Sequence, residues 1–221
     1  MKILNAYAGI GGNRKHWDGE KHDIVAVEIN EKIAGEYDRL YPNDEVIVGD
    51  AHEYIRENYQ EFDFIWASPP CQTHSQMHYL GAKDDSPQNR AREPEYPDMS
   101  LYQQVIFLRN FFDGDWVVEN VNPYYEELIR AQRCGRHLIW SNFSVPNVEV
   151  PQAFEFSSGS NADRKRLEKW LGIDLSQNIY VRDGHDPGQV LRNAVHPEIG
   201  KAILEARSKK QQTLEEAKLE A

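Results

Sequence analysis

A chain of 221 residues can build one substantial core with a small lobe attached. Its 36 acidic against 25 basic side chains leave a formal net charge of -11, which argues against a broad electrostatic footprint for nucleic acid but leaves room for a local basic groove. The two cysteines, Cys71 and Cys134, make neither a disulfide framework nor a paired zinc motif, and no apolar run approaches the roughly 20 residues of a membrane helix. The opening Met1 to Ala6 is too short and too soon glycine-rich for a signal peptide, so a cytoplasmic protein with no membrane and no metal partner is expected.

Lys2 to Tyr7 reads as a short buried strand, interrupted by Gly9, Gly11 and Gly12, after which Arg14 to Trp17 opens a short helix. Strands follow over Asp23 to Glu28 and Glu45 to Val48, separated by a helix from Glu31 to Leu40. Ala51 to Tyr59 reads as helix and Phe62 to Ala67 as strand. From Gln72 to Asp98 the chain is polar and carries Gly81, Pro87, Pro94 and Pro97, the pattern of a long binding loop or of disorder. Ser100 to Phe112 resumes as a helix with an apolar face of Leu101, Val105, Ile106, Leu108 and Phe112. Trp116 to Glu119 is the next strand, Tyr124 to Arg130 a helix and His137 to Phe143 a strand.

From Ser144 to Pro187 prolines, serines and glycines surround one helical segment, Ala162 to Leu171. Val190 to Ala206 returns to an apolar helical pattern and Ser208 to Ala221 is a polar tail. Strands alternating with helices predict an α/β fold, a doubly wound and mostly parallel sheet whose ligands bind at the carboxyl ends of the strands. The expected division is a main domain over 1–143, a small lobe over 144–189, a returning segment over 190–207 and a tail over 208–221.

Three glycines after the first strand let backbone approach a ligand closely. Glu28, an acid ending the second strand, is placed to accept hydrogen bonds from ribose hydroxyls. Asp50 either accepts from an adenine amine or caps the helix at Ala51, and the two roles are compatible. Cys71, behind Pro69-Pro70 at the end of one strand, and Glu119, at the end of another, pair a nucleophile with a proton carrier. Such a pair suits addition to carbon 6 of cytosine, which makes carbon 5 nucleophilic. His74 and His78 lack partnered metal spacing and read as polar loop residues, and Cys134 reads as a packed one.

Four segments, in this order, resemble the DNA cytosine-5 methyltransferase family: Tyr7-Ala8-Gly9-Ile10-Gly11-Gly12, Pro70-Cys71-Gln72, Glu119-Asn120-Val121 and Arg192-Asn193-Ala194-Val195-His196-Pro197. The resemblance implies the S-adenosylmethionine-dependent methyltransferase fold, with S-adenosyl-L-methionine held by Tyr7, Gly9, Gly11, Gly12, Glu28, Asp50, Pro70 and Asn193. It implies Cys71 as nucleophile, Glu119 at ring N3, and Arg136 on the cytosine O2 through a partly kept Gln-x-Arg-x-Arg motif at Gln132 to Arg136, where Cys134 replaces the middle arginine.

It further implies double-stranded DNA as partner, base flipping, and substrate contacts from Gln72, Ser75, Asn120, Arg164 and Lys165. The setting it implies is a monomer in the nucleoid of a bacterial or phage-infected cell. Arg192 departs from the family's glycine. Other readings stay open. Ser68-Pro69-Pro70 also fits amino methyltransferases, a related branch acts on transfer RNA, and a non-catalytic binding module is the third.

Overall fold

The computed structural model describes residues 1–76, 79, 95–150, 161–180 and 186–207. Among the described residues the strands and α-helices follow in this chain order. The first six are β1 (Lys2–Ala6), β2 (Asp23–Glu28), α1 (Glu31–Leu40), β3 (Glu45–Val48), α2 (Ala51–Asn58) and β4 (Phe64–Ala67). Next come α3 (Ser100–Phe111), β5 (Asp115–Val121), β6 (Gln132–Cys134), β7 (His137–Ser141), α4 (Asn161–Leu171) and α5 (Gln189–Arg192). After α5 comes α6 (197–207).

Seven strands form one sheet in the order β3-β2-β1-β4-β5-β7-β6. Strands β1 to β5 run parallel, β7 is antiparallel to β5, and β6 is antiparallel to β7. The inner strands are apolar on both faces, as a sheet covered on both sides requires. Leu4, Val25, Ile65 and Val118 on one face meet Ile55 of α2 and Val105 and Leu108 of α3. On the other, Ile3, Phe64, Trp66 and Ile139 meet Trp17 and Ile199 and Ile203 of α6. Tyr37 of α1 packs there too, against Ala26. The fold is therefore the doubly wound α/β sheet expected, with β1 and β4 at its centre.

Four local expectations are corrected. Arg14 to Trp17 is a run of tight turns, in which Arg14 N–H donates to Gly11 O at 3.1 Å and Trp17 N–H to Arg14 O at 2.9 Å. What holds it is a buried ion pair: Arg14 Nε and Nη2 reach Asp44 at 2.7 and 2.8 Å.

Tyr124 to Arg130 is irregular, because side chains elsewhere take its backbone groups: Leu128 N–H donates to the Tyr102 hydroxyl at 3.2 Å, and Ile129 O accepts from Trp140 Nε1 at 2.7 Å. Ile106 is half exposed, and Gln104 lies buried on the inner face of α3. The apolar run from Val190 breaks at Asn193 to His196, and Pro197 starts α6, the position where a missing N–H costs a helix nothing. The short edge strand β6 carried no periodicity to find.

Residues of the 144–189 segment pack on the main sheet's own helices. Leu167, Leu171, Ile173 and Ile179 share one apolar cluster with Ile10, Ile33, Val190 and Leu191.

Candidate active site

The carboxyl ends of β1, β2, β4 and β5 open into one cavity of about 810 Å³. Its wall includes Tyr7, Gly9, Gly12, Glu28, Asp50, Pro70 and Asn193 from the expected cofactor half, and Cys71, Gln72, Ser75, Glu119, Asn120 and Arg136 from the expected target half. Segments from Tyr7 near one end of the chain to Val195 near the other thus meet in one wall.

The glycine loop is tied to β2. Ala8 N–H donates to Val27 O at 2.9 Å, and Gly9 N–H to Glu28 Oε2 at 3.0 Å. Gly9 and Gly11 have φ of +55° and +71°, the left-handed region that glycine occupies without a Cβ clash. Tyr7 has φ +56° and bears that strain as a side-chain residue. Gly11 stands behind the wall, where its carbonyl accepts from the Tyr41 hydroxyl at 2.7 Å. Gly12 faces the closing motif, and a Cβ there would lie 2.3 Å from Val195 O.

Glu28 accepts one backbone N–H on each oxygen, from Gly9 and, at 2.9 Å, from Asn30, so each oxygen retains a lone pair for a hydroxyl. Asp50 is the N-cap of α2: its Oδ1 takes both His52 N–H at 2.8 Å and Glu53 N–H at 3.3 Å. The Tyr7 hydroxyl is buried with no hydrogen-bond partner among the described residues. Burial, then the charges of Asp50 and Asp98, push it far above the usual tyrosine range. A glycine loop, an acid with spare lone pairs and an orphaned hydroxyl suit a nucleoside with polar edges.

Arg192, which stands for a glycine in the motif, lies at the end of α5 with helical backbone, so an arginine fits that path. Its side chain pairs with Asp186 and its carbonyl accepts from Arg136 Nη2 at 3.0 Å.

On the target side, Cys71 follows β4 at a turn, with Ser75 N–H donating to its carbonyl at 3.0 Å. Burial, then the neighbouring Glu119 charge, push its thiol up. Asn120 is buried and its amide holds the loop: Nδ2 donates to Pro69 O at 3.0 Å, and Oδ1 accepts Val121 N–H at 2.9 Å.

Glu119 lies on the same sheet face as His137, whose Nδ1 is 2.6 Å from Glu119 Oε1. Burial pushes this carboxyl up, but His137, Ser68 and Arg136 outweigh it and hold Glu119 below its ordinary value. Ser68 in turn accepts from Trp66 Nε1 at 2.9 Å.

Other expected residues lie elsewhere. The Arg164 guanidinium is engaged inside its own segment, by Glu168 at 2.8 Å, Leu175 O at 2.6 Å and Asn178, while Lys165 is exposed beside it; neither lines the cavity. His74, read as a polar loop residue, lies in a turn and is fully buried there, with Tyr125 Oη 2.5 Å from Nδ1 and Asp98 O 3.0 Å from Nε2. Cys134 is packed in the core, as expected. His78 and the tail from 208 lie outside the described residues. Among the described residues there is no metal-ligand cluster and no helix long and apolar enough to cross a membrane.

Sequence reasoning missed His137 and the role of Ser68. Their signal was a histidine beginning a strand after Arg136 and a serine before two prolines, neither of which points to Glu119 until β7 is known to run antiparallel to β5.

Sheet order and site together define a doubly wound α/β protein with its cavity at the carboxyl ends of the strands. Residues 1–92 match the model of the C-5 cytosine-specific DNA methylase family, so the glycine loop, Glu28, Asp50 and the Pro-Cys loop all lie within the matched part. That match indicates S-adenosylmethionine as the cofactor. No curated protein matches the chain.

Similar solved structures include a SAM-dependent methyltransferase from Agrobacterium tumefaciens, with 14% identity, TM-score 0.40, and 57% of this chain and 40% of that one covered. A DNMT2 variant from Spodoptera frugiperda shows 22% identity and TM-score 0.38, with 57% of this chain and 37% of that one covered. The chain spans about two fifths of the length of each.

Proposed function

We propose that the protein transfers a methyl group to carbon 5 of cytosine in DNA through a covalent Cys71 adduct. The observation that carries the reading is that one cavity holds both Cys71, coupled in charge to Glu119, and the glycine loop with Glu28. S-adenosylmethionine supplies an electrophilic methyl group in that cavity. Gly9 lets the backbone lie against it with Gly12 in the wall beside it, Glu28 accepts from the ribose hydroxyls, and Asp50 accepts from the adenine amine through Oδ2. Tyr7, Pro70 and Asn193 complete the wall.

The target cytosine must leave the duplex stack to reach Cys71. Cys71 loses its proton and its sulfur bonds to carbon 6. The proton leaves Cys71 for the Glu119 carboxylate, the displaced electron pair moves toward N3, N3 takes that proton from Glu119, and Arg136 donates to O2. Carbon 5, now nucleophilic, accepts the methyl group. Loss of the carbon 5 proton to water then expels Cys71 as the thiolate, and N3 returns its proton to Glu119, which restores the ring. Because the resting thiol is pushed up, its deprotonation is part of the work of binding the base.

Gln72 and Ser75 line the entry, and the exposed Lys165 is suited to phosphate contact. Asn120 supports the site by holding the Cys71 loop through Pro69 O.

Incubation with S-adenosylmethionine labelled in its methyl group, duplex DNA or transfer RNA, and nucleoside analysis tests the reading. Labelled 5-methylcytosine from DNA is expected. N4-methylcytosine or N6-methyladenine would overturn the chemistry, and label in transfer RNA alone would overturn the substrate.

A further inference from the structure

His137 is 5% exposed, lies in the cavity wall beside Glu119 and Arg136, and belongs to none of the motifs above. It is opposite Val121 in the β5–β7 register, and Glu119 is opposite Ile139, so the two side chains are diagonal neighbours on one sheet face. Its ring meets a different partner at each nitrogen. Nδ1 is 2.6 Å from Glu119 Oε1, and Arg136 Nε is 3.4 Å from Nε2.

These partners fix the tautomer. A carboxylate only accepts and a guanidinium only donates, so the hydrogen sits on Nδ1 and Nε2 is the acceptor. One ring therefore joins the two groups that hold the base in the cytosine-5 reading, on which this inference rests. With His137 on one oxygen of the Glu119 carboxylate, the remaining lone pairs are available to the ring. Arg136, engaged by Nε with His137 and by Nη2 with Arg192 O, has Nη1 for the base.

We propose that His137 is a positioning residue for methyl transfer: it fixes the rotation of Glu119 and the approach of Arg136, so that the carboxyl meets N3 while the guanidinium meets O2. A mere packing role asks only for a side chain of similar bulk. A positioning role asks for a donor toward Glu119.

His137→Leu keeps bulk without a donor and His137→Gln keeps bulk with one. In the full chain, the leucine variant is expected to lose roughly tenfold or more in kcat, the size of one lost hydrogen bond to a charged group, with KM for S-adenosylmethionine unchanged. His137→Gln is expected to recover most of that loss. Equal kcat in wild type and His137→Leu, or a glutamine variant as impaired as the leucine one, would overturn the proposal while leaving the cytosine-5 reading intact. A wild type without methyl transfer would overturn both.

Nitrogen-15 NMR of the wild-type histidines needs no variant to fold: the His137 ring is expected as the Nδ1–H tautomer, with that proton shifted strongly downfield by Glu119. The Nε2–H tautomer would overturn the proposal.

Discussion

Asn120 Nδ2 donates to the Pro69 carbonyl at 3.0 Å, fastening the loop that carries Cys71 to the strand that carries Glu119. Strands β4 and β5 are parallel neighbours with Ala67 paired to Val118, so the two chemical groups leave adjacent strand ends and this one amide sets their spacing. Asn120→Ala leaves a buried carbonyl unsatisfied and is expected to cost about 1–3 kcal/mol in urea unfolding. Its kcat should fall while cofactor affinity holds. An Asn120→Ala protein as stable and as active as wild type would show that the loop is held by other contacts.

Glu119 raises the Cys71 thiol, second to burial. Alkylation rate follows the thiolate fraction, so at a fixed pH below the thiol's pKa, removing that negative charge speeds the reaction. Glu119→Gln is therefore expected to alkylate severalfold faster at Cys71 with iodoacetamide near neutral pH, while losing methyl transfer. Slower or unchanged alkylation would mean that Glu119 does not act on the thiol in the resting protein.

Asp50 caps α2 with Oδ1, and cofactor binding is assigned to Oδ2. Asn keeps an oxygen for the cap and presents a donor where the adenine amine needs an acceptor. Asp50→Asn should leave the melting temperature near that of wild type and weaken S-adenosylmethionine by about tenfold, which corresponds to about 1.4 kcal/mol. Asp50→Ala should lose both, with the cap worth about 1 kcal/mol. Calorimetric titration beside thermal melts separates the two roles.

A Cβ on Gly12 would lie 2.3 Å from Val195 O and 3.0 Å from the Ala194 side chain. The glycine loop and the closing motif touch at this point, so Gly12→Ala must push them apart. A loss of about 1–3 kcal/mol in stability is expected, with weaker cofactor binding, both read in the same thermal and titration experiments.

The parallel strands were legible because their apolar runs are short and bounded by turns, and Cys71 and Glu119 were legible because each ends such a run. Long-range partnership was not. Leu128 and Ile129 sit in a helix-like sequence, yet Tyr102 and Trp140, remote in the chain, claim their backbone groups.

The Gln132 to Cys134 edge strand exists through its pairing with β7 alone. His137 acquires its place only from the antiparallel register with Val121, a relation that no spacing encodes. Arg164 was legible as a cation but not as one already bound, since Asn178 and Leu175 come from the chain folding back on α4. Composition states which groups exist, and topology decides which of them meet.

The covalent Cys71 step is tested most directly by incubating the protein with S-adenosylmethionine and duplex DNA containing 5-fluorocytosine, then running a denaturing gel beside Cys71→Ala. Fluorine at carbon 5 cannot leave as a proton does, so a Cys71-dependent protein–DNA adduct that survives denaturation is the expected result. A wild type that binds both cofactor and DNA and forms no adduct, or a Cys71→Ala protein that still methylates cytosine at the wild-type rate, would contradict it.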